Sequence, residues 1–353
     1  MVNKSLLNFY SGKRVFITGH TGFKGSWLSY ILDQNNAIVK GYALNPITNP
    51  NLFSDLDFSN KFKSIISNIK DYETLEKEIL EFKPDFIFHM AAQPLVLESY
   101  REPYETFDTN FNGTLNLLEI LKKNNLSTNV IIITSDKVYK NDGITGKNFK
   151  ENDPLGGNDP YSASKAASEI LVHSYIKSFF NNSTTKVTSV RAGNVIGGGD
   201  WSQDRLVPDI IKASIQNIVL EIRNPNATRP WQHVLDSSFA YLRLGYYIST
   251  NDLRNFGSWN FGPKEKSLSV SEIISICKNE GLLLNVNYAE IENKESKFLS
   301  LDTNKSTELL DWKSKWKSKE AVIYSISWYK DFLKGIAPSK LVIKDLNKFI
   351  GND

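Results

Sequence analysis

The sequence predicts an α/β fold: a doubly wound parallel sheet over residues 1–194, joined to a smaller, partly interleaved region over 195–353. Three observations predict it. Strand-like and helix-like stretches alternate through the first half, as in proteins whose parallel sheet is covered by helices on both sides. The run VIIITS at 130–135 is apolar where a half-exposed strand would alternate, so it reads as a strand buried on both faces. After Asn194 the alternation breaks, yet no Pro/Gly/Ser-rich linker separates the halves. With 353 residues, 41% hydrophobic and 23% charged, the chain is long enough for two packed regions and has a globular composition.

The elements follow in order. Residues 13–18 (KRVFIT) form a short strand rich in β-branched residues, and 23–34 have helical spacing. Residues 38–44 are apolar again, and 65–69 make a weaker strand. Asp71 is a natural N-cap for a helix over 71–82. PDFIFHMA at 84–91 is a fourth strand, a long helical pattern spans 104–123, and 130–135 is the fifth strand. A helix over 161–180 and a strand over 186–191 complete the alternating half. Beyond the Gly197-Gly198-Gly199-Asp200 loop the sequence predicts helices near 206–216, 237–249 and 271–279. Strands are expected near 219–223 and 285–289, and a closing helix at 319–334.

Composition excludes several functions. Lys plus Arg is 42 against 39 for Asp plus Glu, a net charge of +3. That balance argues against nucleic acid or an anionic membrane as the main partner. The single cysteine, Cys277, rules out an intrachain disulfide and is expected as a buried small hydrophobe. Four scattered histidines lack metal-site spacing, so no metal is expected. Residues 1–10 carry no apolar core of signal-peptide length, and no apolar run approaches the roughly 18 residues of a membrane span. The expectation is a cytoplasmic protein. His20 is expected as a hydrogen-bonding loop residue, and the lysine-rich stretch 313–319 as a solvated face.

Three motifs carry chemistry. Gly19-His20-Thr21-Gly22-Phe23-Lys24-Gly25 joins the first strand to the first helix. Glycines three apart allow a tight reversal, close backbone approach to a pyrophosphate and close packing of helix on sheet, with the helix N-terminus facing the phosphate charge. The pattern is GxxGxxG rather than the usual GxGxxG, and its weight comes from its place in the first strand–helix unit. The acid that normally follows the second strand is missing; Asn45 stands there and leaves NAD and NADP both open. Tyr161 and Lys165 lie one helical turn apart on one face. A free tyrosine titrates near ~10, and a neighbouring ammonium lowers that toward a value useful to a general base. Ser135-Asp136-Lys137 end the fifth strand, at the sheet edge where doubly wound proteins bind ligands. A carboxylate beside an ammonium there is either a solvated pair or an acid/base couple, and Tyr161 in the same crevice favours the couple.

The glycine turn, HMAAQP (89–94), TNFNGTLNLLE (109–119), TSDK (134–137), YSASK (161–165) and RAGNVIGGGDW (191–201) occur in the order found in the extended short-chain dehydrogenase/reductases, and the chain resembles that Rossmann-like family. AAQPLV, SDK, GGGDW with Asp204-Arg205, and RPWQHVL (229–235) are similar to the nucleotide-sugar 4,6-dehydratases within it, particularly those acting on CDP-glucose. The resemblance implies NAD as cofactor, a nucleotide-sugar substrate with CDP-glucose foremost, and no nucleic-acid or membrane partner. It implies a homodimer or dimer of dimers built on the helices at 104–123 and 161–180.

Carried over by position, Tyr161 is the base on the sugar 4-hydroxyl, supported by Lys165 and Ser135. Asp136 is the acid on the departing 6-hydroxyl. Lys137, where dTDP-sugar relatives carry a glutamate, is the base at C5. Gly19, Thr21, Gly22, Phe23, Gly25, Asn45, Asn68, Ile69, Ala91, Ala92, Gln93 and Asn110 fall at cofactor positions with Tyr161 and Lys165; Asn68 replaces an aspartate that reads adenine. Asn194, Arg205, Arg229 and His233 fall at substrate positions. The resemblance thus makes 1–194 the NAD-binding domain and 195–353 mainly the nucleotide-sugar region, with some segments returning to the first domain. Trp201 and Trp231 are expected either against the base or in the core. A 4-epimerase on the same fold would need no Asp136–Lys137 pair, and a non-catalytic nucleotide-binding relative no intact Tyr161 and Lys165.

Overall fold

Apolar residues at successive strand positions need cover on both faces of a sheet, and the computed structural model, which describes residues 3–141, 146–251, 257–265, 267–288 and 298–351, supplies it. The first part of the chain runs α1 (Asn3–Tyr10), β1 (Arg14–Thr18), α2 (Phe23–Gln34), β2 (Ile38–Ala43), β3 (Lys63–Ile66), α3 (Tyr72–Phe82) and β4 (Phe86–His89). Then come α4 (Val96–Arg101), α5 (Pro103–Phe107), α6 (Gly113–Lys123), β5 (Asn129–Ile133), α7 (Pro160–Tyr175) and β6 (Lys186–Ala192). The second part holds β7 (Val195–Ile196), α8 (Leu206–Gln216), β8 (Val219–Ile222), β9 (Thr228–Arg229), β10 (Gln232–His233), α9 (Val234–Thr250) and β11 (Ser258–Phe261). It ends with β12 (Leu268–Ser269), α10 (Val270–Asn279), β13 (Asn285–Tyr288), α11 (Asn304–Leu310), α12 (Ser318–Leu333) and α13 (Pro338–Ile350).

The main sheet has the order β11-β6-β5-β4-β1-β2-β3 with every pairing parallel. Val15, Ile17, Phe86, Phe88, Ile131 and Ile133 pack toward α1, α2 and α9 on one face. Phe16, Ile87, Val130 and Ile132 pack toward α3, α6 and α7 on the other. Strand order reverses between β1 and β4, and this switch point opens a crevice at the carboxyl edge of the sheet.

The structure departs from the sequence expectation in identifiable places. β3 begins and ends earlier than 65–69. The helix expected over 104–123 is α5 and α6 joined by a π turn at Asp108–Asn112. The 319–334 helix does not close the chain: Pro338 at a first-turn position starts α13, which buries Leu341, Val342, Leu346 and Phe349. α1, α4, α11 and α13 were not expected, nor was β11, which adds the seventh strand beside β6. The strand expected at 285–289 is β13, and Ala289 lies outside the described residues. Among the described residues no helix is long and apolar enough to cross a membrane. Cys277 is buried, and Lys313, Lys315, Lys317 and Lys319 are exposed between buried Trp312, Trp316 and Ser318.

Candidate active site

At the carboxyl end of β1 the chain turns through Gly19, whose φ is +74° and whose Cβ would lie 2.7 Å from the Ala91 nitrogen. Gly25 has the Gly19 carbonyl where its own Cβ would stand. Only glycine fits either place. No side chain caps α2 at Gly22, so the leading N–H groups of this helix are open to an acceptor. A bare backbone turn running into an uncapped helix end fits the pyrophosphate of a dinucleotide.

The other expected cofactor residues lie along the same edge. Thr21 donates to the Leu44 carbonyl at 2.8 Å, with Asn45 exposed beside it at the end of β2. Phe23 is half-buried next to Gly197. Asn68 and Ile69 follow β3, and Ile69 packs where Gly113 lacks a side chain. Ala91, Ala92 and Gln93 follow β4. Asn110 has turned inward instead. Its Oδ1 accepts from the Gln93 N–H at 2.9 Å, and its amide donates to the Gln93 carbonyl at 3.1 Å and to Ser164 Oγ at 2.9 Å. It clamps the loop after β4 onto α7. His20 is buried too; its ring fills the space beside Gly41, meets Ser64 Oγ at 2.7 Å, and is pushed down to about 4 by burial.

Across the crevice, α7 is started by Asp159, which caps it in a reciprocal box with Ser162, and by Pro160 in the first turn. That start puts Tyr161 and Lys165 on the buried side of the helix. Ser135, two residues beyond β5, caps the short turn Asp136–Val138 by accepting from the Lys137 N–H at 3.2 Å. A cavity of about 370 Å³ opens here, lined by Ser135, Asp136, Lys137, Tyr161, Asn194, Arg205 and Arg229. The structure therefore brings the expected catalytic residues and three of the four expected substrate residues to one place, with Lys165 just beneath.

The electrostatics are dominated by burial. Burial raises the Asp136 pKa above the usual carboxylate range, with Lys137 and Arg229 opposing it. Asp136 Oδ1 accepts from Ser135 Oγ at 3.1 Å, and among the described residues Oδ2 has no hydrogen-bond partner. Lys165 falls to about 7, first through burial and then through the charge of Lys24. Tyr161 moves in the opposite direction to the sequence expectation. Burial raises its pKa, Ser135 pulls back and Asp136 adds to the rise. The reason is that the loss of water around the Tyr161 hydroxyl outweighs the groups that favour its phenolate.

His233 does not reach the cavity. It caps α9 by accepting from the Leu235 N–H at 3.2 Å, lies edge-on between Trp27 and Trp316, and is pushed down to about 3 by burial. Its neighbour in sequence, Trp231, does line the cavity and donates to the Leu268 carbonyl at 3.0 Å. Trp201 packs against Tyr329 and Phe332 in the core. Among the cavity residues that the sequence analysis missed is Lys24, which burial and Arg205 lower to about 8 against Asp136. Its signal was a cation in the first turn of a helix, against the macrodipole. Among the described residues no group of three or more His, Cys, Asp or Glu side chains could hold a metal.

A glycine turn at the switch point, a Tyr/Lys pair on the facing helix and a crevice lined by charges of both signs beside them define an enzyme of the short-chain dehydrogenase/reductase class. The family model described as GDP-mannose 4,6 dehydratase matches residues 16–323, and the chain belongs to that family. It is 42% identical over 341 residues to the CDP-glucose 4,6-dehydratase of Salmonella typhimurium, covering 93% of each chain. It is 26% identical over 340 residues to the human dTDP-D-glucose 4,6-dehydratase, covering 90% of each. Among solved structures it resembles the UDP-glucose 4-epimerase of Thermotoga maritima, with a TM-score of 0.78, 20% identity and coverage of 91% of this chain and 99% of that one. The dTDP-glucose 4,6-dehydratase of Bacillus anthracis, solved in complex with NAD, has a TM-score of 0.76 at 22% identity, covering 90% and 97%. At these identities the structural likeness speaks for the fold.

Proposed function

We propose that the protein is an NAD-dependent lyase that dehydrates a nucleotide-hexose, converting CDP-D-glucose to CDP-4-dehydro-6-deoxy-D-glucose and water. The observation that carries this reading is the single cavity in which Tyr161 and Ser135 stand beside the adjacent Asp136 and Lys137. Bound along the glycine turn, NAD would supply the hydride acceptor for C4 and donor for C6, and its positive ring would favour the Tyr161 phenolate. Tyr161 takes the proton of the 4-hydroxyl, with Ser135 hydrogen-bonded to the same oxygen and Lys165 beneath. The C4 ketone acidifies C5–H; Lys137 takes that proton and, once water has left, gives one back to C5 as hydride reaches C6. Asp136, whose burial favours the neutral acid, protonates the departing 6-hydroxyl, so water leaves across C5–C6. Asn194, Arg205 and Arg229 hold the diphosphate. The glycine turn, Asn45, Asn68, Ile69 and the loop Ala91–Gln93 hold the dinucleotide, with Asn110 bracing that loop.

This reading makes 1–194 the cofactor domain and 195–353 mainly the sugar-nucleotide region, with β11 returning to the sheet. The proposed enzyme is cytoplasmic and homodimeric. Supporting the dimer, α5 and α7 leave Tyr104 and Ile170 exposed at 80% and 60%, with Phe107 and Phe179 nearby in sequence also exposed.

The test uses CDP-D-glucose carrying deuterium at C4. The label should appear at C6 of the product, solvent deuterium should enter at C5, and NADH should not accumulate. Label found back at C4 of an epimerised sugar, or stoichiometric NADH, would overturn the reading.

A further inference from the structure

Lys24 stands apart from the rest of the glycine turn. Its backbone belongs to the first turn of α2, but its side chain leaves the turn and lines the cavity with Asp136, Tyr161 and Arg205. Its Nζ lies 5.8 Å from the centre of the Tyr241 ring. Among the described residues no hydrogen bond or ion pair holds that nitrogen. Its charge is nevertheless felt, because after burial it is the main influence lowering Lys165. Lys24 is half-buried, and a cation in the first turn of a helix stands against the macrodipole, so the position is unfavourable for it unless it serves the cavity.

The inference rests on the NAD reading above. If Tyr161 takes the 4-hydroxyl proton, sugar C4 and the nicotinamide ring must meet beside Tyr161 and Lys165, and Lys24 acts on that place from the same cavity. The ring is positively charged when oxidised and neutral when reduced, so a nearby ammonium repels the first and not the second. We propose that Lys24 sets the redox preference of the site, weakening oxidised dinucleotide relative to reduced and so favouring hydride removal from the substrate. Lys24 is a positioning residue of charge, with no proton to transfer in the reaction.

Full-length wild type, Lys24→Met and Lys24→Arg are titrated with NADH by its fluorescence, and NAD is then titrated as a competitor. Lys24→Met should tighten NAD relative to NADH by about tenfold, the order expected of one charge acting across a partly solvated cavity. Lys24→Arg should keep the wild-type ratio. If Lys24→Met does not fold, Lys24→Gln carries the same measurement. A structural role would weaken both forms together, and an unchanged ratio in the neutral variants overturns the inference alone. Wild type that binds neither form overturns the cofactor reading and this inference with it.

Discussion

Two buried polar clusters lie end to end across Thr134 and Ser135, and they are built in opposite ways. On the Thr134 side, Glu169 of α7 accepts from Thr134 Oγ1 at 2.5 Å, Ser189 Oγ at 2.8 Å, Ser258 Oγ at 2.9 Å and the Arg191 guanidinium at 2.8 Å. Arg191 also donates to the Tyr139 hydroxyl and the Glu151 carbonyl, both at 2.9 Å, and its Nε has no partner among the described residues. Burial pushes the Glu169 pKa up, but Arg191 and the hydroxyl donors outweigh it and the carboxyl ends below its ordinary value. On the Ser135 side, Asp136 is raised by burial and keeps an unpartnered oxygen, while Lys165 and Lys24 fall to about 7 and about 8. Asp136 and Lys165 are buried as Glu169 and Arg191 are, and one helix carries Glu169 and Lys165 a single turn apart. Burial therefore does not mark the functional site; unmet hydrogen bonds and unbalanced charge do.

The contrast can be broken most sharply at Tyr161. Tyr161→Phe keeps the ring and removes the proton acceptor, so turnover on CDP-D-glucose should fall roughly 10²–10⁴-fold while the thermal midpoint stays near that of wild type. Turnover close to wild type would remove Tyr161 from its role. The paired cluster should respond in stability. Glu169→Gln leaves Arg191 buried without its counter-ion and should cost about 3–5 kcal/mol in urea unfolding. A loss below about 1 kcal/mol would show that the two clusters are less different than their geometry.

Lys165→Met should act with the opposite sign and a smaller size. Lys165 titrates at about 7 in the folded protein and near 10.5 unfolded. Below pH 7 both states are protonated and the full burial penalty weighs on the fold. Between about 7 and about 10.5 the unfolded state holds more protons, so wild-type stability rises with pH across that window. The variant should abolish activity yet unfold later than wild type at pH 7, by on the order of 1–2 kcal/mol, and lose that advantage toward pH 10. A variant less stable than wild type at pH 7 would mean that Lys165 is a well-compensated structural cation.

What the sequence by itself determined is what is local. The helices at 23–34 and 206–216 have the limits of α2 and α8 because an apolar stripe at helical spacing needs no distant partner to be read. Asp71 was legible as a cap because its carboxylate accepts from Thr74 N–H, three residues away, at 3.1 Å. The glycine turn and the Tyr161/Lys165 pair were legible for the same reason: each is complete within one turn of chain. The tertiary structure alone decided β11, since Ser258–Phe261 lacks a β-branched run and becomes a strand by pairing with β6. It also decided which way polar side chains face: His233 and Asn110 inward as a cap and a clamp, Lys24 outward into the cavity. Above all it decided the direction of the Tyr161 pKa, because desolvation sums over every element packed around a group, and no stretch of sequence contains that sum.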